Sequence, residues 1–203
     1  MKEQHFNRAD VEVLEEHTGY DGFFKIKELI LRHRRFAGDW SRPLKRELFL
    51  RRAAVGVLLY DPQRDAIALV EQFRVGALHT EKPWLLELVA GLVDDGETPE
   101  DVARREAIEE AGCEILALEP VLNYFSSPGG SNEFFHLFCG RCSLAEVGGI
   151  HGLEEEGEDI RVHVLSVDAA LELLEAGELC NAHTIIALQW LQLHRSRLRA
   201  FWC

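Results

Sequence analysis

The sequence predicts an α/β protein, with a β-rich N-terminal element over residues 1–50 and a larger α/β domain over 51–203. Three observations carry this expectation. Short segments near the N-terminus alternate apolar and polar residues with the period of two that a half-buried strand requires. From about residue 51 the texture changes to dense apolar runs, AAVGVLLY and AIALVEQFR, of the kind found in strands covered on both faces. Helix signals then recur at 98–112, 167–177 and 183–200, the first with start and stop residues in place.

Length and composition narrow the function. At 203 residues the chain is long enough for one well-packed core with a small appended element. Apolar residues make up 47% and charged residues 28%, ordinary values for a globular protein. Lys plus Arg is 22 against 35 for Asp plus Glu, and the resulting charge of −13 disfavours nucleic acid and anionic membrane surfaces as partners. The N-terminal MKEQHFNRADVEVLEEH lacks the apolar core of a signal peptide, and no apolar run approaches the roughly 20 residues that span a bilayer, so a cytoplasmic protein is expected. Cys113, Cys139, Cys142, Cys180 and Cys203 are scattered and odd in number, as reduced thiols would be. Cys139 and Cys142 form a C-x-x-C, but without a second pair it is read as ordinary packing at a strand end.

In chain order, VEVLEE (11–16), FFKIKELILRH (23–33) and KRELFL (45–50) read as strands of a small N-terminal sheet, with the turn-rich AGDWSRP before the last. AAVGVLLY and AIALVEQFR, joined by the turn signal DPQRD, read as a buried hairpin. WLLELVAG (84–91) is a single apolar strand that delivers the chain into Gly91. EILALEPVLNYF and EFFHLFC follow as strands, then an acidic glycine-bearing loop (146–159), then the strand IRVHVLS. Helices over VDAALELLEAG and from about 183 to 200 complete the chain.

The segment GLVDDGETPEDVARREAIEEAGC (91–113) carries the chemistry. Thr98 suits an N-cap, Pro99 the first helical position and Asp101 the acid of a capping box, while Gly112 is placed to end the helix. Glu106, Glu109 and Glu110, at i, i+3 and i+4, share one side of that helix. Ala103, Ala107 and Ala111 form a small-residue stripe that could pack closely on a sheet. Like charges at this spacing cost an isolated helix roughly 0.2–0.5 kcal/mol per pair. A bound divalent cation, which takes oxygen ligands, would offset that cost; the plain alternative is a solvated acidic face.

The full spacing decides between these. Gly91, five residues, Glu97, seven residues, Arg105-Glu106-Ala107, one residue, Glu109-Glu110, one residue, Gly112 and apolar Cys113 resemble the Nudix box at every fixed position. The resemblance to Nudix hydrolases implies an α/β/α sandwich with a mixed sheet and Mg2+-dependent cleavage of a nucleoside diphosphate linked to another moiety. It implies Glu106 and Glu110 as principal metal ligands, the carbonyl of Ala90 completing the site and Glu109 ligating or orienting the metal. Glu97 and Arg105 would form a structural ion pair.

Pro128, fifteen residues beyond Cys113 within SSPGGSNE, matches the ADP-ribose pyrophosphatase branch of that family, although the residues alone fit an ordinary turn. GFF (22–24), KRELFLRRAAV (45–55), EQFR (71–74), GIHGLEEEGEDIRV (149–162) and ALQWLQLH (187–194) extend the resemblance over most of the chain. The branch implies hydrolysis of ADP-ribose to AMP and ribose 5-phosphate with two or more Mg2+ ions, for which Mn2+ could substitute. Another nucleoside diphosphate derivative, an ADP-sugar or a dinucleotide, is the alternative substrate. By the same resemblance Arg51 and Arg74 face the pyrophosphate, Phe23 and Phe24 sandwich the adenine, and Arg46 and Glu47 reach the substrate from the partner subunit of a homodimer that exchanges its N-terminal sheets. Leu92, Ser127, Pro128, Gly129 and Glu133 line the terminal-ribose side. Glu156, on a glycine-flanked acidic loop, is the general base, and Glu158 is a further metal contact. On a strand Phe23 and Phe24 would point to opposite faces, so stacking both on one base requires an irregular turn.

Overall fold

The structure is a computed structural model that describes residues 5–203, apart from the side chain of Glu156. Its chain divides into two compact units, one made of residues through Arg52 together with Phe125–Glu133, the other of Ala53–Tyr124 and Phe134–Cys203.

The first unit is an antiparallel sheet of β1 (Val11–Asp21), β2 (Lys25–His33) and β3 (Leu44–Leu50), in that order. Phe23 and Phe24 are not part of a strand: residues 22–24 bend, and β2 begins at Lys25. The strict alternation of faces along a strand therefore does not apply to these two aromatics. The turn at 126–133 joins the end of β3, with the Phe49 N–H donating to the Gly130 carbonyl at 2.8 Å.

The second unit is an α/β sandwich. Its mixed sheet has the order β10-β11-β5-β4-β9-β8, built from β4 (Ala54–Asp61), β5 (Ala66–Phe73), β8 (Ala117–Phe125), β9 (Phe134–Arg141), β10 (Gly149–His151) and β11 (Ile160–Ser166). β4 and β9 run parallel, while β4 and β5 form the expected antiparallel hairpin. WLLELVAG is two strands rather than one. β6 (Trp84–Glu87) pairs with β5, and β7 (Val89–Leu92) pairs with β4. The switch falls at Leu88, whose N–H donates to the Thr184 hydroxyl at 3.1 Å. The acidic loop likewise contains a short strand, β10, paired with β11.

The strand period assigns the two cores. On β4, Val55, Val57 and Leu59 face one cluster and Ala54, Leu58 and Tyr60 the other, so every position of this strand is buried. α1 (Pro99–Ala111) covers the first face through Val102, Ala103, Ala107 and Ala111, where the small side chains bring helix and sheet close together. α2 (Val167–Glu175) and α3 (Ala182–Trp202) cover the second through Val167, Ala170, Leu188, Leu191 and Leu198. Cys142 packs with Cys113 in the first cluster and Cys139 lies in the second, so the two thiols of the C-x-x-C belong to opposite faces of the sheet. Among the described residues no helix is long and apolar enough to cross a membrane.

Candidate active site

α1 is held at both ends by local chemistry. The Thr98 side chain accepts from the Asp101 N–H while the Asp101 carboxylate accepts from the Thr98 N–H, a complete capping box, and Gly112 ends the helix at φ 59. Between these caps the acidic residues are arranged by a single cation. Arg105 grips Glu97 through Nε at 2.9 Å and Nη2 at 3.2 Å, and its Nη1 donates to Glu106 at 2.8 Å and Glu109 at 3.0 Å. The fork of a guanidinium permits this division; an ammonium would not. The Arg105 contact holds the Glu97 carboxyl below the ordinary carboxylate range.

Glu106 and Glu110 point inward. A Cβ on Gly91 would collide with the Glu106 carboxylate, so the glycine of the motif makes room for this acid against the β7 backbone. Glu110 is only 2% exposed, and its Oε2 accepts from the Ala90 N–H at 2.9 Å. This contact uses the Ala90 N–H and is separate from the carbonyl that the Nudix resemblance assigns to metal.

Burial pushes the Glu110 carboxyl up to about 8, against the pull of the Ala90 N–H and Arg74, with Glu106 and Glu158 adding repulsion. Burial likewise raises Glu106 to about 7, opposed by Arg105 and reinforced by Glu109 and Glu158. The charged forms of both acids are under-compensated here, as in a cation site. Among the described residues no three carboxylate, histidine or cysteine groups are already drawn together around one point. Arg105 occupies Glu106 and Glu109, and Ala90 occupies Glu110. The donors nevertheless fit Mg2+ or Mn2+, which prefer carboxylate oxygen.

Glu158 closes the glycine-flanked loop. Its Oε2 accepts from the Leu153 N–H at 3.1 Å, and Gly152 donates to the Glu109 carbonyl at 3.4 Å, tying the loop to the end of α1. Glu154–Glu156 form a single 3-10 turn; the Glu156 side chain lies outside those described. Arg74, at the end of β5, donates from Nε to Glu87 at 2.6 Å. Leu92 ends β7 and packs on the second core.

The N-terminal unit holds its own group of expected residues. Phe23 is 84% exposed and meets Phe24 edge-on at 4.8 Å, and Phe24 meets Phe49 at 5.0 Å. The Arg51 guanidinium lies over Phe24 at 4.8 Å and pairs with Glu133 at 2.9 Å. Glu133 also accepts from the Ser126 hydroxyl at 2.7 Å, fixing the turn that contains Ser127, Pro128 and Gly129. Arg46 and Glu47 are exposed on β3.

Residues 50–188 match the NUDIX domain model. The chain belongs to the Nudix family. This Nudix protein is 48% identical over 198 residues to the ADP-ribose pyrophosphatase of Escherichia coli (strain K12), covering 97% of this chain and 95% of that one. It is 47% identical over 203 residues to the Haemophilus influenzae protein of the same name, covering 98% and 94%. It is 36% identical over 189 residues to the GDP-mannose pyrophosphatase of Cronobacter sakazakii, covering 91% and 96%.

One buried polar pair next to Arg74 was not anticipated from the sequence. Glu87 and Asn181 are hydrogen-bonded at 2.6 Å although 94 positions apart. The available signal was a glutamate inside the apolar run WLLELVAG, where an unpaired charge would be costly.

Proposed function

We propose that this Nudix hydrolase cleaves the pyrophosphate of ADP-ribose, with Mg2+ or Mn2+, to give AMP and ribose 5-phosphate. The observation that carries the reading is the pair of inward carboxylates, Glu106 and Glu110, seated against the β7 backbone by Gly91 and Ala90. Near-full-length identity of 48% to an ADP-ribose pyrophosphatase supports the choice of substrate.

Glu106, Glu110 and the Ala90 carbonyl would hold the metal, joined by Glu109 and Glu158. Bound there, two or more such ions would supply Lewis-acid neutralisation of the diphosphate. Arg51 and Arg74 direct guanidinium donors to the phosphate oxygens, which suits their fork geometry. Glu156 takes the proton of the attacking water as the bond from phosphorus to the bridging oxygen breaks, and the two phosphate monoesters depart. Phe23 and Phe24 stack on the adenine. Leu92, Ser127, Pro128, Gly129 and Glu133 line the terminal ribose.

The reading includes a cytoplasmic homodimer in which the N-terminal element, residues 1–50, completes the neighbour's site and Arg46 and Glu47 contact substrate from the partner subunit. Exposed Val13, Leu14, Tyr20, Phe23 and Phe36 on that element support an interface there. The free cysteines suit a reducing compartment.

The GDP-mannose relative motivates a second reading, a nucleotide sugar as the preferred substrate. Rates on ADP-ribose, GDP-mannose, an ADP-sugar and a dinucleotide, with product analysis with and without chelator, separate the two. The proposal expects the highest kcat/KM on ADP-ribose, with AMP released only when metal is present. Equal or better turnover of another substrate overturns it.

A further inference from the structure

Glu87 closes β6 at 4% exposure, and a carboxylate at that depth needs a partner at each oxygen. Its Oε2 accepts from Arg74 Nε at 2.6 Å and its Oε1 from Asn181 Nδ2 at 2.6 Å. Asn181 is itself fixed as the N-cap of α3, where Oδ1 accepts from the Thr184 N–H at 3.1 Å and from its hydroxyl at 3.2 Å. That role leaves only the amide nitrogen to face Glu87. The fully buried Thr184 hydroxyl accepts in turn from the Leu88 N–H at 3.1 Å, so the chain of bonds returns to the residue beside Glu87. Cooperative polar networks of this kind hold one geometry when every member is satisfied.

Arg74 is the outward end of this network. Its side chain is 43% exposed, and its backbone N–H is bonded to the Pro83 carbonyl at 2.9 Å. The bond from Nε fixes the guanidinium, and among the described residues no hydrogen bond from its Nη groups competes for them.

We propose that Glu87 is a positioning residue for the hydrolysis: it locks the Arg74 guanidinium for a substrate phosphate, and Asn181 orients Glu87. The proposal rests on the reading of Arg74 as a diphosphate contact. A preset guanidinium loses less freedom on binding, so the benefit falls on substrate affinity.

Steady-state kinetics on ADP-ribose test it with R74A, E87Q and the double variant R74A/E87Q. R74A should raise KM roughly 10–100-fold, the loss of one charge-assisted contact. E87Q should raise KM by a smaller factor, with the loss falling on KM rather than kcat, and should add nothing in the R74A background. Asn181→Ser retains a helix cap while removing the donor to Glu87, so it should shift KM in the same direction even if E87Q folds poorly. Equal KM effects of E87Q in the wild-type and R74A backgrounds overturn the positioning role, as does unchanged KM in both E87Q and Asn181→Ser. Wild-type KM in R74A overturns the underlying reading of Arg74 and the proposal with it, an outcome visible before the double variant is made.

Discussion

The Glu106 carboxylate occupies the space that a side chain on residue 91 would need, so Gly91 and Glu106 are one steric unit. Gly91→Ala should therefore leave the fold in place, because the obstructing atoms belong to the end of a flexible side chain, while pushing Glu106 out of position. A displacement of about an ångström at a reacting centre costs on the order of 100-fold. Turnover of ADP-ribose and the thermal midpoint, measured on the same preparation, should show that loss with a nearly unchanged Tm.

The pH dependence of stability follows from the same acids. Folding raises the Glu106 carboxyl to about 7 and Glu110 to about 8 from an ordinary value of 4.5. Between those limits the folded state holds more protons than the unfolded one, so without metal the stability falls as pH rises from about 4.5 to about 8. Metal binds the deprotonated forms, and its affinity should rise over the upper part of this window with release of protons. Thermal melts with and without Mg2+ should diverge as pH increases; a stabilisation by Mg2+ that shrinks with pH would contradict this.

Much of this site was legible because its determinants are local. The capping box of Thr98 and Asp101, Gly112 at the end of α1 and the i, i+3, i+4 row of acids all lie within one helix and its caps. The break between β6 and β7 was not legible. It depends on a hydroxyl from α3, and nothing within WLLELVAG distinguishes Leu88 from its apolar neighbours. Glu87 was overlooked for the same reason, since its partners Arg74 and Asn181 are 13 and 94 positions away. Phe23 and Phe24 show the limit of periodicity. Their aromatic character fits a strand, while the chain bends at residues 22–24 and leaves them outside it.

Phe23 offers a test of the adenine-stacking role with little structural cost, because its ring is 84% exposed and contributes little to packing. Stacking on a base contributes roughly 1–3 kcal/mol, so Phe23→Ala should raise KM by roughly 5–150-fold with little change in Tm. A KM within twofold of wild type would remove Phe23 from the substrate site.

Glu156→Gln separates proton transfer from binding. Metal and ADP-ribose affinity should persist while the chemical step slows roughly 10²–10⁴-fold, the usual contribution of a positioned acid or base. Glu154→Gln and Glu155→Gln should matter far less. Single-turnover rates across the three variants decide the assignment, and a larger loss at Glu154 or Glu155 moves the base to that residue.

AMP release from ADP-ribose by Glu106→Gln and Glu110→Gln, over a range of Mg2+ concentrations, tests the central claim most directly. Both changes preserve side-chain shape and remove charge, so the variants should fold while metal-dependent turnover falls by at least about 100-fold. Near-normal Mg2+-dependent AMP release in both variants would contradict the role of these carboxylates as the metal-holding centre.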